Sequence, residues 1–469
     1  MVIAASALST YLLYYDYVSG TGVGSTYTAQ QQVHQFIDEY QMKNNASSPN
    51  AITTDADGNV WFVLQSTSQL AELIPSNGTV HEFHVPESGK IAPSTWGIVV
   101  DNARHYVWFT DGDANCIWRF DMANDSFTKF EVKTPAALPY DIALDSHGNV
   151  WFSEIAGKIG EITPSGSLTE ISLPVAISVE ATGITVDSSN TVWVNFGHLG
   201  LTSNDSSFYV ASYAGGAFTV YNLTGSVFEP QGIAVDSHGN IWLTQHATSI
   251  ISEFNPSTGY FRSISTSIPP WDVDNYSLPY FLDVAPDGGV WFTEHYGNAI
   301  GHFFPSNNTL VEYVDPSRIP GAGNLAFTLT IGLDPSGQPW FTEWLTGKVG
   351  VVNTSAPVDL HLSLSGVQND SVVITPTESA NIQLGVNSAS PSGGTILLGA
   401  YSGNYTQGPE FNFSRTQGTG NFGSSLRIAE NSTATTVPGV YYVTISAETQ
   451  SLIYSRIIKV LVEAPPSSS

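Results

Sequence analysis

Short apolar stretches of five to seven residues alternate with polar turns along most of the chain. One unit, residues 140–174, reads YDIALD, SHGN, VWFSE, and then GKIGEIT, PSGS, LTEISLP. These stretches are too short for helices and are rich in β-branched and aromatic residues, which is typical of strands. The turns carry Gly, which tolerates a positive φ. The pattern therefore predicts four consecutive antiparallel strands.

This unit recurs seven times, and a Trp marks the second strand of each copy. Successive Trp residues are 42 to 49 positions apart, which is the length of a four-stranded propeller blade. They are Trp61, Trp108, Trp151, Trp193, Trp242, Trp291 and Trp340. We expect each Trp to pack between neighbouring blades. The predicted fold class is all-β, with a seven-bladed β-propeller built of four-stranded blades.

The last copy lacks a fourth strand, and the N-terminal part of the chain supplies a candidate for it. After GKVGVV the sequence runs into NTSAPVDL, which does not read as a strand. Near the N-terminus, VHQF at Val33–Phe36 resembles VHEF at Val80–Phe83, the fourth strand of the first copy. We therefore predict that Val33–Phe36 pairs with Lys348–Val352 and closes a propeller that spans residues 30–356.

The remaining segments differ in pattern from the propeller. Residues 357–464 form short alternating strands without the repeat, which predicts an Ig-like β-sandwich. Residues 465–469 are a Pro/Ser tail. Residues 1–29 begin with an apolar stretch that is shorter than the roughly 20 residues that span a bilayer and lacks basic residues. Two interpretations stay open for it: an anchor, or a segment docked on a partner. Membrane association is expected only through this segment.

The charge of the chain excludes one class of partner. Lys and Arg number 14 against 41 Asp and Glu, and the net charge is −27. A chain this acidic repels a phosphate backbone, so we expect no nucleic-acid partner. Only 12% of residues are charged, against about 25% in an average soluble protein.

Twelve Asn-x-Ser/Thr sequons indicate an exported chain, because this acceptor motif matters only in secreted proteins. They begin at Asn45, Asn77, Asn124, Asn204, Asn222, Asn275, Asn307, Asn353, Asn369, Asn404, Asn412 and Asn431. The alternative is that Asn and Ser simply share turns. The single cysteine, Cys116, sits in a strand-like setting and is expected to be a small buried side chain. The composition favours an extracellular glycoprotein on the surface of an acidophilic, archaeal cell.

The blade sequence, GIxxDxxGNxWFTE followed by NxIGxF, resembles the streptogramin (virginiamycin B) lyase family, with NHL-type propellers as more distant relatives. This resemblance implies elimination chemistry on a cyclic depsipeptide ester. The family's base is the His of a Glu-Pro-His-Gly stretch. Its Mg²⁺ is held by the Glu of that stretch and by a second Glu three residues after the blade's Trp. The best match here is EPQGI, where Glu229 is retained but Gln231 replaces the base and Gln245 replaces the second Glu.

No other copy restores the base. The equivalent position, eleven residues before each Trp, holds Asn50, Gly97, Tyr140, Thr182, Tyr280 and Leu329 in the other blades. A neutral imidazole can remove an α-proton near neutral pH, whereas an amide cannot. The sequence therefore predicts that the family's chemistry is absent and that no cofactor is bound.

Carboxylates nevertheless recur at the position three residues after the Trp. They are Asp111, Glu154, Glu294 and Glu343, with His246 and His295 directly after this position in two blades. Equivalent blade positions converge around the axis, so these carboxylates, with His295, form a candidate binding site for Mg²⁺ or Ca²⁺ at one mouth of the channel. The alternative is that these carboxylates recur only because the blade sequence is repeated, and that both His residues are exposed at the channel rim.

Two functions from different classes follow. The first is a non-catalytic cell-surface glycoprotein whose propeller is a binding or assembly platform, with other surface proteins or further copies of itself as partners. The second is an extracellular metal-dependent C–O lyase or lactonase with a rearranged site built on Glu154, Glu294, Glu343 and His295. Propellers host both classes, so the site must decide.

Overall fold

The computed structural model describes residues 24–86, 94–175, 179–197, 207–246, 248–268, 276–317, 325–389, 394–403, 408–431 and 436–464. The described part is all-β apart from one 3₁₀ turn, Gln65–Thr67. Within these residues, no helix has the length and apolarity needed to cross a membrane. The predicted N-terminal anchor or docking segment lies mostly outside the described residues, and the Pro/Ser tail lies wholly outside them.

Seven antiparallel sheets form the propeller, and the four strands of each blade are named A to D from the axis outward. Strands A of neighbouring blades contact one another all the way round, including blade 7 with blade 1. The strands are, blade by blade: Pro49–Thr54, Val60–Leu64, Gln69–Ile74, Thr79–His84; Ile98–Asp101, Tyr106–Asp111, Cys116–Asp121, Ser126–Glu131; Pro139–Leu144, Val150–Glu154, Lys158–Ile162, Leu168–Ser172; Glu180–Val186, Val192–Gly197, Phe208–Ala214, Ala217–Asn222; Pro230–Val235, Ile241–Gln245, Ile250–Asn255, Tyr260–Ser265; Pro279–Val284, Val290–Glu294, Ala299–Phe304, Thr309–Val314; Thr328–Leu333, Pro339–Glu343, Lys348–Val352, Ile37–Gln41. The predicted seven-bladed propeller is confirmed.

An N-terminal strand closes the ring, but it is not the predicted one. Strand D of blade 7 is Ile37–Gln41, and it pairs with Lys348–Val352 from Ile37 opposite Val352 to Gln41 opposite Lys348. The predicted Val33–Phe36 is wrong. Val33 belongs to Gln30–Val33, which lies one strand further out, and it is 71% exposed. Burial decides the register: Ile37 and Tyr40 point to opposite faces of the strand, and each is buried, Ile37 in a cluster with Tyr313 of blade 6 and Tyr40 in a cluster with Phe62 of blade 1.

An Asp that recurs six residues before the Trp in most copies holds the turn between strands A and B. In blade 3, Oδ1 of Asp145 accepts hydrogen bonds from the backbone N–H groups of His147 and Asn149, at 2.9 and 2.8 Å. Its Oδ2 accepts from the Asn149 amide and from the Trp151 indole, at 2.8 and 3.1 Å. These bonds outweigh the effect of burial and lower the pKa of Asp145. Asp55 and Asp236 make the same four bonds in blades 1 and 5. The recurrence of Asp and Trp at this spacing is therefore structural.

Each repeated Trp packs against strand B of the following blade, as predicted. Trp61 lies with Val107 and Phe109 of blade 2, and Trp340 lies with Phe62 of blade 1. The other five occupy the corresponding interfaces, and all seven are at most 7% exposed. Cys116 is fully buried in one of these clusters, which agrees with its predicted packing role.

A polar side chain two residues after the Trp connects each of five blades to the next. In blade 2, the Thr110 hydroxyl donates to the carbonyl of Tyr140 in strand A of blade 3, at 2.9 Å. The further bonds of this kind run from Ser153 to Thr182, Asn195 to Gln231, Thr244 to Tyr280, and Thr293 to Leu329. Each accepting residue is the one at the family's base position. The backbone of that position is thus fixed by the preceding blade.

The C-terminal part is a two-sheet sandwich around a shared apolar core. One sheet contains Leu360–Ser365, Ala380–Ser388, Phe422–Ala429 and Glu410–Phe413. The other contains Leu452–Val462, Gly439–Glu448, Thr395–Tyr401 and Gln417–Thr419, with Ser371–Ile374 parallel to Leu452–Val462. The Ig-like classification of this sandwich stays a prediction.

The second of these sheets is continuous with blade 6. Strand D of that blade, Thr309–Val314, pairs with Leu452–Val462, from Thr309 opposite Arg456 to Tyr313 opposite Leu452. The hydroxyl of Thr444 also donates to the Ser265 carbonyl of blade 5. Propeller and sandwich are therefore joined by a ladder of backbone hydrogen bonds, for which the sequence carried no signal.

Candidate functional site

Side chains from several strands A meet at the propeller axis and fill it. The Tyr140 hydroxyl lies 2.9 Å from Oε1 of Gln231, to which it donates, and 2.9 Å from the Tyr280 hydroxyl. The Trp96 ring stacks on Tyr140 and meets Tyr280 edge-on, with ring centroids 5.6 Å apart in both cases. We call Trp96, Tyr140, Gln231 and Tyr280 the axial plug. Three of its members occupy the family's base position, so the plug stands where the base of a lyase is expected.

The plug is a neutral hydrogen-bonded unit. Burial, and then the neighbouring Tyr280, raise the pKa of Tyr140 well above its ordinary value. Its hydroxyl therefore keeps its proton and stays a donor to Gln231. Below it, a cavity of about 160 Å³ is lined mainly by aliphatic side chains of strands A, and it also contacts Asp141 and Asp283. Burial raises the pKa of Asp141 to about 7 and that of Asp283 to about 6.

In blade 5, Gln245 replaces the second Glu of the family motif, and its side chain is held by two hydrogen bonds. Gln245 is fully buried at the end of strand B; its Oε1 accepts from the backbone N–H of Phe228 at 3.0 Å, and its Nε2 donates to Ser252 Oγ at 2.5 Å. An amide can make both bonds at once because it offers a donor and an acceptor. Glu229, which matches the Glu of the family motif, is partly buried and has a positive φ of 45°. At the position where the family resemblance implies a second carboxylate, this chain has an amide whose donor and acceptor are both in use.

His295 is buried and His246 is half-buried, so neither is exposed at the rim. His246 Nε2 lies 3.4 Å from His295 Nδ1, and both rings pack against Tyr280. Burial lowers the pKa of His246 to about 4, and burial and then His246 place that of His295 well below its usual value. The predicted exposure of both side chains at the rim is wrong, because both rings pack against Tyr280 of the axial plug.

The four predicted carboxylates do not meet at the channel mouth. Asp111, Glu154, Glu294 and Glu343 are each at most 1% exposed. Asp111 accepts from the Ala114 N–H at 2.9 Å and from the Trp118 indole at 3.2 Å, both within blade 2. The other three carboxyls each contact a Glu in strand D of their own blade, on the side away from strand A. The predicted location is therefore wrong, whereas ion binding by these residues stays a prediction.

Three of these carboxyls pair with a Glu in strand D of the same blade. The pairs are Glu154 with Glu170, Glu294 with Glu312, and Glu343 with Glu39. Burial first, and then Glu170, raise the pKa of Glu154 to about 8. Burial raises the pKa of Glu312 to about 7 and, together with Asp315 and Glu39, places that of Glu343 well above its usual value.

Sequence reasoning missed the strand D partners, although a signal was present. Each strand D Glu of these pairs lies opposite a Gly of strand C: Gly160, Gly301 and Gly350. A Cβ at any of these glycines would collide with the Phe of strand B, at 2.0 to 2.2 Å. A Gly in strand C aligned with a Glu in strand D therefore marks the blades that carry a carboxyl pair.

Many sequons form one kind of turn. In Asn77, Asn124, Asn222, Asn307 and Asn353, Oδ1 accepts from the backbone N–H two residues on, at 2.8 to 3.1 Å. This bond favours Asn in turns and accounts for part of the sequon density without any sugar. Most of the described acceptor side chains are exposed; Asn353 and Asn431 are half-buried. Asn204, Asn275 and Asn404 lie outside the described residues.

The fold and the residues at the propeller axis together define a class of protein. This class is the seven-bladed propeller with lyase-type blades, and this chain has an amide, Gln231, at the position of the family's base. Residues 27–254 match the virginiamycin B lyase family, so the resemblance predicted from the blade motif is confirmed. No curated protein is detectably similar to the chain in sequence.

Solved structures agree with this assignment of the fold. A streptogramin B lyase is 25% identical with a TM-score of 0.57, and the match covers 68% of this chain and 97% of that one. The virginiamycin B lyase of Staphylococcus aureus is 22% identical with a TM-score of 0.56, over 67% and 98% of the two chains. YCF48 bound to D1 peptide is 14% identical with a TM-score of 0.51, over 70% and 99%.

Proposed function

We propose that the protein is a non-catalytic extracellular glycoprotein of the cell surface, and that its lyase-like propeller is a platform for binding or assembly. The observation that carries this proposal is the axial plug. Gln231 stands at the base position and accepts a hydrogen bond from Tyr140. An amide held in this way has no proton-accepting nitrogen to offer a substrate.

The join between propeller and sandwich supports a platform role. A continuous sheet from blade 6 into the sandwich holds the two parts together through backbone hydrogen bonds. Because of this join, binding surfaces on the propeller and on the sandwich keep a fixed relative position. Other surface proteins, or further copies of the chain, could bind both at once. The net charge of −27 and the exposed sequons are consistent with an exported, acid-adapted protein.

The alternative, a metal-dependent C–O lyase or lactonase, is less well supported. It requires Glu154, Glu294, Glu343 and His295 to act on one substrate. Glu154 pairs with Glu170 in blade 3, whereas Glu343 pairs with Glu39 in blade 7. A reacting atom must lie within hydrogen-bond reach of its catalytic groups. Carboxyls committed to separate blades do not meet that requirement.

We expect the purified protein to show no streptogramin B lyase activity, with or without Mg²⁺. A lost general base typically costs about 10² to 10⁴-fold in rate, and a lost metal ligand adds to this. The assay is linearisation of quinupristin, followed by chromatography, with an active virginiamycin B lyase as the positive control. Ester cleavage that a chelator abolishes would overturn the proposal and favour the enzyme.

The double substitution Gln231→His, Gln245→Glu tests the plug separately. We expect it to stay inactive, because Tyr140 and Tyr280 still fill the axis. Adding Tyr140→Ala opens the space beside residue 231, and any activity should appear only in this triple variant. Activity in the double variant, which still has Tyr140, would show that the plug does not block the site.

We expect Asn-linked sugar on native protein at several of Asn77, Asn222, Asn307 and Asn404. The first three have exposed side chains in tight turns. Peptide mass spectrometry before and after deglycosylation measures occupancy at each position. The half-buried Asn353 is an internal comparison and should carry less. Unmodified peptides at all four positions would remove the main support for a surface glycoprotein.

A further inference from the structure

Three buried carboxylates from separate strands converge at the seam between blades 6 and 7. Glu39 lies on the ring-closing strand, Glu343 ends strand B of blade 7, and Asp315 follows strand D of blade 6. One carboxylate oxygen from each lies within 4.8 Å of the other two, and all three residues are at most 1% exposed. Among the described residues this is the one group of three with such geometry.

Of the residues that the structure describes, one ammonium group lies at the seam, that of Lys348, and it is committed to Glu39. Lys348 Nζ donates to Glu39 Oε2 at 2.8 Å, to Ser317 Oγ at 2.7 Å and to Gln32 Oε1 at 3.0 Å. A lysine has three N–H donors, so all of them are in use. Three carboxylates and one ammonium leave a net charge of −2 when all are ionised, which is the complement of one divalent cation.

Glu343 supplies the second observation. It is fully buried; Thr346 donates to its Oε2 at 2.6 Å, whereas its Oε1 has no hydrogen-bond donor among the described residues. A buried carboxylate oxygen without a donor is costly unless a proton or a cation satisfies it. The other polar groups at the seam are already engaged: His34 lies 3.2 Å from Glu39 Oε2, and the Ser317 N–H donates to Asp315 Oδ1 at 2.8 Å.

We propose that Glu39, Asp315 and Glu343 bind one hard divalent cation, Ca²⁺ or Mg²⁺, and that this ion ties the ring-closing strand to blades 6 and 7. Carboxylate oxygens are the ligands these ions prefer. The site differs from the channel-mouth site predicted from the repeat. Of its three ligands, only Glu343 occupies the position three residues after a blade Trp, whereas Glu39 and Asp315 do not. It is independent of the proposed surface function.

The first test is thermal unfolding of the full chain at neutral pH after removal of metal with a chelator. At a free Ca²⁺ or Mg²⁺ concentration about one hundred times the dissociation constant, we expect the melting temperature to rise by roughly 5 °C. Titration calorimetry should give one ion per chain, and comparison of the two ions identifies which one the site prefers. Glu343→Gln and Asp315→Asn should each abolish the rise.

The matched control is Glu154→Gln, which alters the equivalent position of blade 3, where no third carboxylate is present among the described residues. It should retain the full rise. A second readout does not depend on stability: Tb³⁺ bound at the site should show luminescence sensitised by Trp344, and Ca²⁺ should displace it. Equal shifts in wild type and Glu343→Gln would indicate only general binding to an acidic surface and would overturn the proposal. So would the absence of binding at millimolar ion.

Discussion

The free energy of unfolding should fall by about 3 kcal/mol between roughly pH 6.5 and pH 8.5. This is the reverse of what is usual for an acidic protein with solvent-exposed carboxylates. The cause lies in carboxyls that the fold keeps protonated: the buried Glu154, with a pKa of about 8, and the buried Glu312 and half-buried Asp141, each with a pKa of about 7.

The direction follows from proton linkage. A carboxyl with a raised pKa binds its proton more tightly in the folded chain than in the unfolded chain. Its contribution to stability is complete below the unfolded pKa, about 4.5 for Glu, and is lost as the pH rises through the folded value. Each group then lowers the free energy of unfolding by up to about 1.4 kcal/mol per pH unit.

Buried histidines oppose this trend on the acid side. Burial lowers the pKa of His246 to about 4 and that of His302 to about 3, so both must stay neutral in the fold. Their contribution is lost as the pH falls from the unfolded value of about 6.5 towards the folded one. Above about pH 7.5 the unfolded histidines are neutral as well, so there the carboxyls alone determine the slope, and between about pH 6.5 and 7.5 each histidine offsets only a few tenths of a kcal/mol of the fall. The combined effect favours mildly acidic surroundings.

Denaturant unfolding at several pH values measures this effect. Glu154→Gln should remove about 2 kcal/mol of the fall, because the amide has the shape of the protonated acid and does not ionise. Glu131→Gln is the control, since 81% of the Glu131 side chain is exposed. A stability that rises across the interval, or an unchanged slope in Glu154→Gln, would contradict the assignment.

Deletion of residues 24–41 should leave the chain without a stable native state. It removes the ring-closing strand and with it the buried side chains of Phe36, Ile37 and Tyr40. Each such side chain is worth about 1.5 to 3 kcal/mol, so the loss is comparable with the roughly 5 to 15 kcal/mol that stabilises a folded domain. The deletion also exposes the edge of Lys348–Val352, which invites aggregation.

Deletion of residues 24–33 is the matched comparison. It removes Thr26–Thr28 and Gln30–Val33 but keeps Ile37–Gln41 in place. We expect a soluble protein whose melting temperature falls by only a few degrees. Circular dichroism and size-exclusion chromatography distinguish the two outcomes. Equal losses in both deletions would mean that the outer strands, rather than the closing strand, hold the ring.

Comparison of repeated sequences predicted the wrong register for the ring-closing strand. VHQF and VHEF share three letters, and that similarity placed the closing strand four residues too early. The core-facing residues of the true strand are Ile37 and Tyr40, which align with Val80 and Phe83 of blade 1. A short strand-like pattern fits several registers, and here the packing of both faces of the strand against the neighbouring blades selects among them.

By itself, the sequence determined the repeat, the number of blades, the Trp interfaces and the loss of the catalytic His, because each depends on local pattern or on the identity of one residue. Only the tertiary structure decided which carboxyls meet. Glu39 joins Asp315 and Glu343 across more than 270 residues of chain, and no spacing rule connects them. The axial plug and the fusion of blade 6 with the sandwich likewise depend on distant strands, whose contacts are fixed by the closure of the ring and by packing of the core.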